Sequence, residues 1–264
     1  MHTQAGRKPH ASDATLRFFS AYTRVYLRRN FHSVRVVRGS WPRVQDAQPV
    51  IVCLNHPSWW DPLIALTLAN ASFRGRMHYA PIDSAALSRY RVFEKLGFFG
   101  IEPDSVRGAM QFLSTSRAIL ADPRTALWVT AEGAFTDVRT RPVRLRSGVG
   151  HLVHSLESAA VLPLGIEYVF WEERAPEALA CWGDIINVSG GKSYRPDEWT
   201  RRIASGMQSA LDRLATLSIQ RQKDEFDVVL RGKAGVGGVY DVWRKLKARL
   251  RGDRFAVQHG SEEF

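Results

Sequence analysis

A chain of 264 residues with 45% hydrophobic and 11% aromatic residues can bury a sizeable core, which excludes a disordered polymer. Its formal charge of +11 is held at the two ends: residues 1–44 carry +8 and residues 231–254 carry +6, so the rest carries −3. A nucleic-acid enzyme concentrates its cations around the working centre, and this distribution argues against nucleic acid as a partner.

Residues 1–10 are polar and lack the apolar segment of a signal peptide. No stretch reaches the roughly 18–20 apolar residues needed to cross a bilayer, so the expected location is the cytoplasmic face of a membrane, as a peripheral protein. A helix is predicted over 13–29, with Leu16, Phe19, Tyr22 and Tyr26 on one face and Arg17, Arg24 and Arg28 on another. Strands are predicted near Val34–Val37, Val50–Leu54, Met77–Ala80, Phe98–Ile101, Ala126–Thr130, Val161–Tyr168 and Cys181–Val188. Helices are predicted at 62–70, 84–96, 105–121, 147–157 and 195–221. The last predicted helix, 239–250, carries the stripe Val239, Val242, Trp243, Leu246 and Leu250, flanked by five cations. Basic amphipathic helices at both ends suit an anionic membrane surface, each nearby cation contributing on the order of 1 kcal/mol. The plainer alternative is that both stripes pack on the core and the cations are solvated.

Alternating strands and helices predict an α/β fold with a mostly parallel central sheet flanked by helices. The expected division is a terminal helix over 1–30, an α/β domain over 31–230, and a glycine-rich linker with a second basic helix over 231–264. Two nucleotide-binding patterns fail. Gly232 to Gly238 has the wrong glycine spacing and no strand predicted before it, and Gly191-Lys192-Ser193 would need a glycine where Ile186 stands. Cys53 and Cys181 are too few for a disulfide framework and read as buried thiols, and no His, Cys and acid cluster has metal-ligand spacing.

The richest segment is Asn55-His56-Pro57-Ser58-Trp59-Trp60-Asp61, at the turn between the second strand and the next helix. A carboxylate five positions after a histidine can accept a hydrogen bond from one ring nitrogen and leave the other as a base. Spacing alone decides little, because 8 histidines and 26 acids placed at random would yield roughly one such pair. The chain has two, His56/Asp61 and His78/Asp83.

The setting separates them. Asn55, His56, Ser58 and Asp61 resemble the first motif, N-H-x-S-x-x-D, of the glycerolipid acyltransferases, typified by lysophosphatidate acyltransferase. Leu96 to Ile101 resembles the second motif, Val129-Thr130-Ala131-Glu132-Gly133 the third, and Val161 to Ile166 the fourth. Arg146-Ser147-Gly148-Val149-Gly150 is similar to the basic stretch opening the next helix. His78/Asp83 lacks such surroundings and is taken as accident.

The resemblance implies transfer of a fatty acyl group from a thioester, acyl-CoA or acyl carrier protein, to a lipid hydroxyl, with these carriers as co-substrates and no cofactor. It implies His56 as general base oriented by Asp61, backbone N–H groups at the following helix start as oxyanion donors, and Asn55, Ser58, Glu132 and Gly133 around the substrate. Members acting on glycerol phosphates usually carry an arginine two residues after the third motif's Glu-Gly, where this chain has Phe135. Two readings stay open. Arg144 and Arg146, with Arg139 and Arg141 nearby, contact a lysophospholipid phosphate; or the acceptor is a non-phosphorylated glycolipid, aminolipid or glycosylated isoprenoid. A non-catalytic lipid-surface binding protein of the same fold is the rival class. A serine hydrolase lacks its Gly-x-Ser-x-Gly elbow here.

Overall fold

The computed structural model describes residues 6–232, so the predicted helix at 239–250 and most of the glycine-rich linker lie outside the described residues. The chain begins with α1 (Asp13–Asn30), capped by the Ser12 hydroxyl, which accepts from the Thr15 N–H. There follow β1 (Ser33–Val37), β2 (Val50–Leu54), α2 (Asp61–Ser72), β3 (Met77–Asp83), α3 (Ser84–Arg89), α4 (Val92–Lys95), β4 (Phe98–Ile101), α5 (Val106–Leu120) and β5 (Thr125–Thr130). The remainder is α6 (Gly148–His154), β6 (Ser158–Val169), β7 (Glu177–Trp182), β8 (Ile186–Ser189), α7 (Pro196–Ile219) and β9 (Phe226–Arg231).

The strands form one sheet in the order β4-β3-β5-β2-β6-β7-β1-β9, with β8 paired beside β7 on β6. The pairs linking β4, β3, β5, β2 and β6 are all parallel, whereas β6 pairs antiparallel with β7 and β8, and β1 with β9. Central β2 is buried at all five positions, as a parallel strand covered on both faces must be. Val50, Val52 and Leu54 join the core beneath α1 and α2; Ile51 and Cys53 face the core beneath α5, α6 and α7. Because β2, β3, β5 and β6 run together, their C-terminal ends share one end of the sheet, where open α/β sheets place their sites.

Three expectations need correction. The strand predicted over Cys181–Val188 is two, β7 and β8, which pair in turn with Leu164–Val169 and Ser158–Val161 of β6. The interruption lies opposite Pro163, which has no amide hydrogen for the ladder; only its carbonyl is used, by the Gly183 N–H at 2.9 Å. The helix predicted at 84–96 breaks into α3 and α4 where Tyr90 leaves helical geometry (φ −127°, ψ 73°). Finally, β9 was not predicted, and it directly precedes the glycine-rich run. Its alternating Phe226, Val228 and Leu230 are the period-2 signal of a strand, within a short segment between a long helix and a presumed linker.

Candidate active site

The first motif leaves the C-terminal end of β2 and turns into α2 within six residues. Asn55 holds the exit. Its side-chain amide donates to the Ile166 carbonyl at 2.9 Å, and its side-chain oxygen accepts from the Ile166 N–H at 2.8 Å. The side chain thus continues the β2–β6 ladder one residue past the strand, at 1% exposure. That corrects the expectation of a substrate contact. Both ends of the amide are consumed, and Asn55 is a clamp.

His56 and Asp61 meet across the turn, with Nδ1 2.6 Å from Oδ2. An ionised carboxylate only accepts, so Nδ1 carries a proton, and the tautomer this selects for the neutral ring has its lone pair on Nε2. Asp61 is 1% exposed and accepts twice more: at Oδ2 from the Ser58 N–H, 3.1 Å, and at Oδ1 from the Tyr168 hydroxyl, 2.6 Å. A buried carboxylate needs such partners to remain charged. Burial, then the Asp61 charge, pushes the Tyr168 phenol well above its ordinary value, which keeps its proton in place as a donor.

Ser58 shapes the turn. Its hydroxyl accepts from the Trp60 N–H at 3.3 Å, and its carbonyl accepts from the Asp61 N–H at 3.2 Å. This narrows a second expectation: the N–H groups of Ser58, Trp60 and Asp61 at the helix start are spent on the turn itself, which leaves the Trp59 N–H as the turn's candidate oxyanion donor.

The third motif braces His56 from the neighbouring strand. Glu132 Oε2 accepts from the His56 N–H at 2.9 Å, and the His56 carbonyl accepts from the Thr136 N–H at 3.0 Å. Burial raises the Glu132 carboxyl above its ordinary range, partly offset by that His56 N–H. Gly133 adopts φ +73°, a conformation that favours glycine, and the Arg146 side chain crosses directly over it, 2.3 Å from where a Cβ would lie. The loop then lays Phe135 on the imidazole, ring centroids 4.2 Å apart and planes 28° apart.

Three of the four arginines near this loop are engaged. Arg139 holds Asp137 with two bonds of 2.9 and 2.7 Å. Arg141 holds Asp212 at 2.7 Å and donates to the carbonyls of Val138 and Thr140. Arg146 crosses Gly133 and pairs with Asp104. Arg144 is exposed.

The fold therefore brings His56, Asp61, Ser58, Glu132, Gly133 and Arg146 together, and adds two contacts that sequence reasoning missed. Tyr168 had a signal, since it continues the alternate positions Leu164 and Ile166 of β6, the latter bonded to Asn55. The Phe135 stack had none, because a loop residue's partner follows no periodicity. Burial pushes the Cys53 thiol up to about 12 and the Cys181 thiol up to about 11, so both are poor nucleophiles, as buried thiols are expected to be. Among the described residues no group of three His, Cys, Asp or Glu side chains converges as a metal site. A cleft of about 620 Å³ between α1, α2 and the start of β3 lies at the other end of the sheet, lined partly by Arg17, Asn70 and His78.

No curated protein gives a significant sequence match. The crystal structure of the 1-acyl-sn-glycerophosphate (LPA) acyltransferase PlsC from Thermotoga maritima aligns with a TM-score of 0.47 at 13% identity, over 76% of this chain and 79% of that one. The family model described as Acyltransferase matches residues 30–167, more than half of the chain and inclusive of His56, Asp61 and Glu132, and the chain belongs to that family.

Proposed function

We propose that this protein transfers a fatty acyl group from a thioester, acyl-CoA or acyl carrier protein, to the hydroxyl of a lipid acceptor at an anionic, cytoplasmic membrane surface. The observation that carries the reading is the His56 Nδ1–Asp61 bond of 2.6 Å, with Asp61 buried and held by Tyr168 and Ser58.

An alcohol is a weak nucleophile near pH 7 and needs a base as it attacks. His56 Nε2 takes the acceptor's proton as its oxygen bonds to the thioester carbonyl carbon. Asp61 stabilises the imidazolium across Nδ1. Collapse of the tetrahedral adduct breaks the carbon–sulfur bond, and the departing thiolate takes the proton from Nε2, giving ester and thiol. No acyl-enzyme is needed, because a thiolate leaves readily. Glu132, Thr136 and Phe135 fix the backbone and ring plane of His56, so that Nε2 keeps one position.

Support for a membrane surface comes from exposed apolar groups around the site's end of the sheet. Trp59 follows β2 and is 57% exposed, and Phe170 follows β6 at 68%. Along α1, Tyr22 and Val25 are exposed beside Arg24, Arg28 and Arg29, and Tyr22, Tyr26 and Trp60 make successive ring contacts toward the motif. Among the described residues no helix is long and apolar enough to cross a membrane.

The test is transfer of labelled palmitate from its CoA or carrier-protein thioester to a lipid alcohol on anionic vesicles. The wild type turns over, and more slowly at high salt as surface charges are screened. His56→Ala loses at least about 10³-fold, the scale of a lost general base. Comparable turnover in that variant removes His56 from the chemistry.

A further inference from the structure

We propose that Phe135 selects the acceptor: its ring, laid on the His56 imidazole, admits a lipid alcohol with an uncharged head and disfavours one bearing a phosphate. This deepens the acyl-transfer reading and rests on it, since the acceptor is placed by its need to reach His56.

The geometry confines the choice to a short radius. A hydroxyl giving its proton to Nε2 must come within about 3 Å of it. The atoms next to that hydroxyl then lie beside the Phe135 ring, whose centroid is 4.2 Å from the imidazole centroid. The ring is 65% exposed, so one flank rests on His56 while the rest is free to meet what enters. An aromatic face carries the negative side of its quadrupole and no hydrogen-bond donor. It suits the C–H faces of glycerol or a sugar, and it gives a phosphate dianion nothing to bind.

The surrounding charges point the same way. A phosphate is recognised by a guanidinium fork free to take two of its oxygens. Here Arg139, Arg141 and Arg146 already face Asp137, Asp212 and Asp104. Exposed ion pairs are weak, and each could open for a small cost. The released carboxylate would then remain beside the incoming phosphate, and Asp61 and Glu132 are already at the centre of the site. Three of the four neighbouring forks are thus filled, Arg144 alone among them facing no acid of the described residues, and an apolar ring lies against His56.

The experiment compares kcat/KM for three acceptors under matched micelle conditions: 1-oleoylglycerol, dodecyl glucoside and 1-oleoylglycerol 3-phosphate. Palmitoyl-CoA and palmitoyl-acyl carrier protein serve as parallel donors. Wild-type enzyme is expected to favour the better uncharged acceptor over the phosphate by at least tenfold. Phe135→Arg is expected to move that ratio at least tenfold toward the phosphate, mainly through KM for the phosphorylated acceptor. Phe135→Leu, apolar but without a ring to stack, is expected to lower kcat and keep the order of preference. Because Phe135 is exposed, both variants should melt like wild type; if Phe135→Arg does not fold, the wild-type ratio and Phe135→Leu still decide. A wild-type preference for the phosphate, or an unchanged ratio in folded Phe135→Arg, overturns the proposal and leaves acyl transfer standing. Absence of His56-dependent turnover with all acceptors and both donors overturns acyl transfer itself.

Discussion

His56 and Asp61 straddle a turn, whereas His78 and Asp83 lie within a single extended strand, β3. The spacing in sequence is identical. In β3 five residues span roughly 16 Å and, being an odd number of steps, put the two side chains on opposite faces. Asp83 instead caps α3, accepting from the Ala85 N–H at 2.8 Å. His78 accepts from the Trp128 indole N–H through Nδ1 at 3.2 Å, so that nitrogen is unprotonated. In the first motif the chain reverses at Pro57–Trp60, and the same five steps close to 2.6 Å. A histidine–aspartate spacing therefore acquires chemical meaning only from the backbone between the two residues.

The electrostatics diverge as well. His56 has a buried carboxylate to share charge with. Burial, reinforced by the nearby Arg76, pushes His78 down from 6.5 to about 4, so it remains neutral in the fold. One histidine is paired with a buried carboxylate and the other is held neutral by its surroundings.

The largest test of that contrast exchanges the carboxylates. Asp61→Asn replaces an acceptor-only group and disturbs the tautomer, and kcat is expected to fall about 10³-fold. Asp83→Asn keeps a good helix cap, so activity and melting temperature should stay near wild type. Equal losses in a transfer assay would erase the distinction.

Next in size is a pH effect at His78. Its folded pKa is depressed, so the unfolded chain takes up the proton first as pH falls below 6.5. The stability it contributes is complete above pH 6.5 and declines until about pH 4, by about 2–3 kcal/mol. Urea unfolding of wild type and His78→Gln should diverge in slope through that window, the variant being flatter. Superimposable pH profiles would show that His78 is not held neutral.

Smallest is Tyr168→Phe, which deletes one of the three bonds to Asp61 and leaves the His56 contact intact. A hydrogen bond to a charged group contributes roughly 1.5 kcal/mol at the low end, about tenfold in kcat. Donor KM should hold steady. An unchanged kcat would mean that Ser58 and His56 suffice to fix the carboxylate.

Most elements were legible from local pattern. The predicted runs at Val50–Leu54 and Phe98–Ile101 match β2 and β4, and α1, α5 and α7 end within two residues of their predicted bounds. Errors came where local pattern meets a distant partner. Pro163 interrupts the pairing of a strand some twenty residues further along the chain, and β9 is specified by the edge of β1 that receives it.

The amino-acid order alone determined the α/β class and the turn carrying Asn55 to Asp61, because both are set by local dihedral preference and apolar period. Only the tertiary structure decided the rest. Glu132 reaches the His56 backbone from 76 residues away, and Tyr168 reaches Asp61 from 107. The conversion of Asn55 into a strand clamp, the pairing of the arginines with acids, and the seat of Phe135 on the imidazole likewise depend on sheet order and loop packing. Those contacts close loops of many tens of residues, and the sheet order that selects among such closures is written in no short segment.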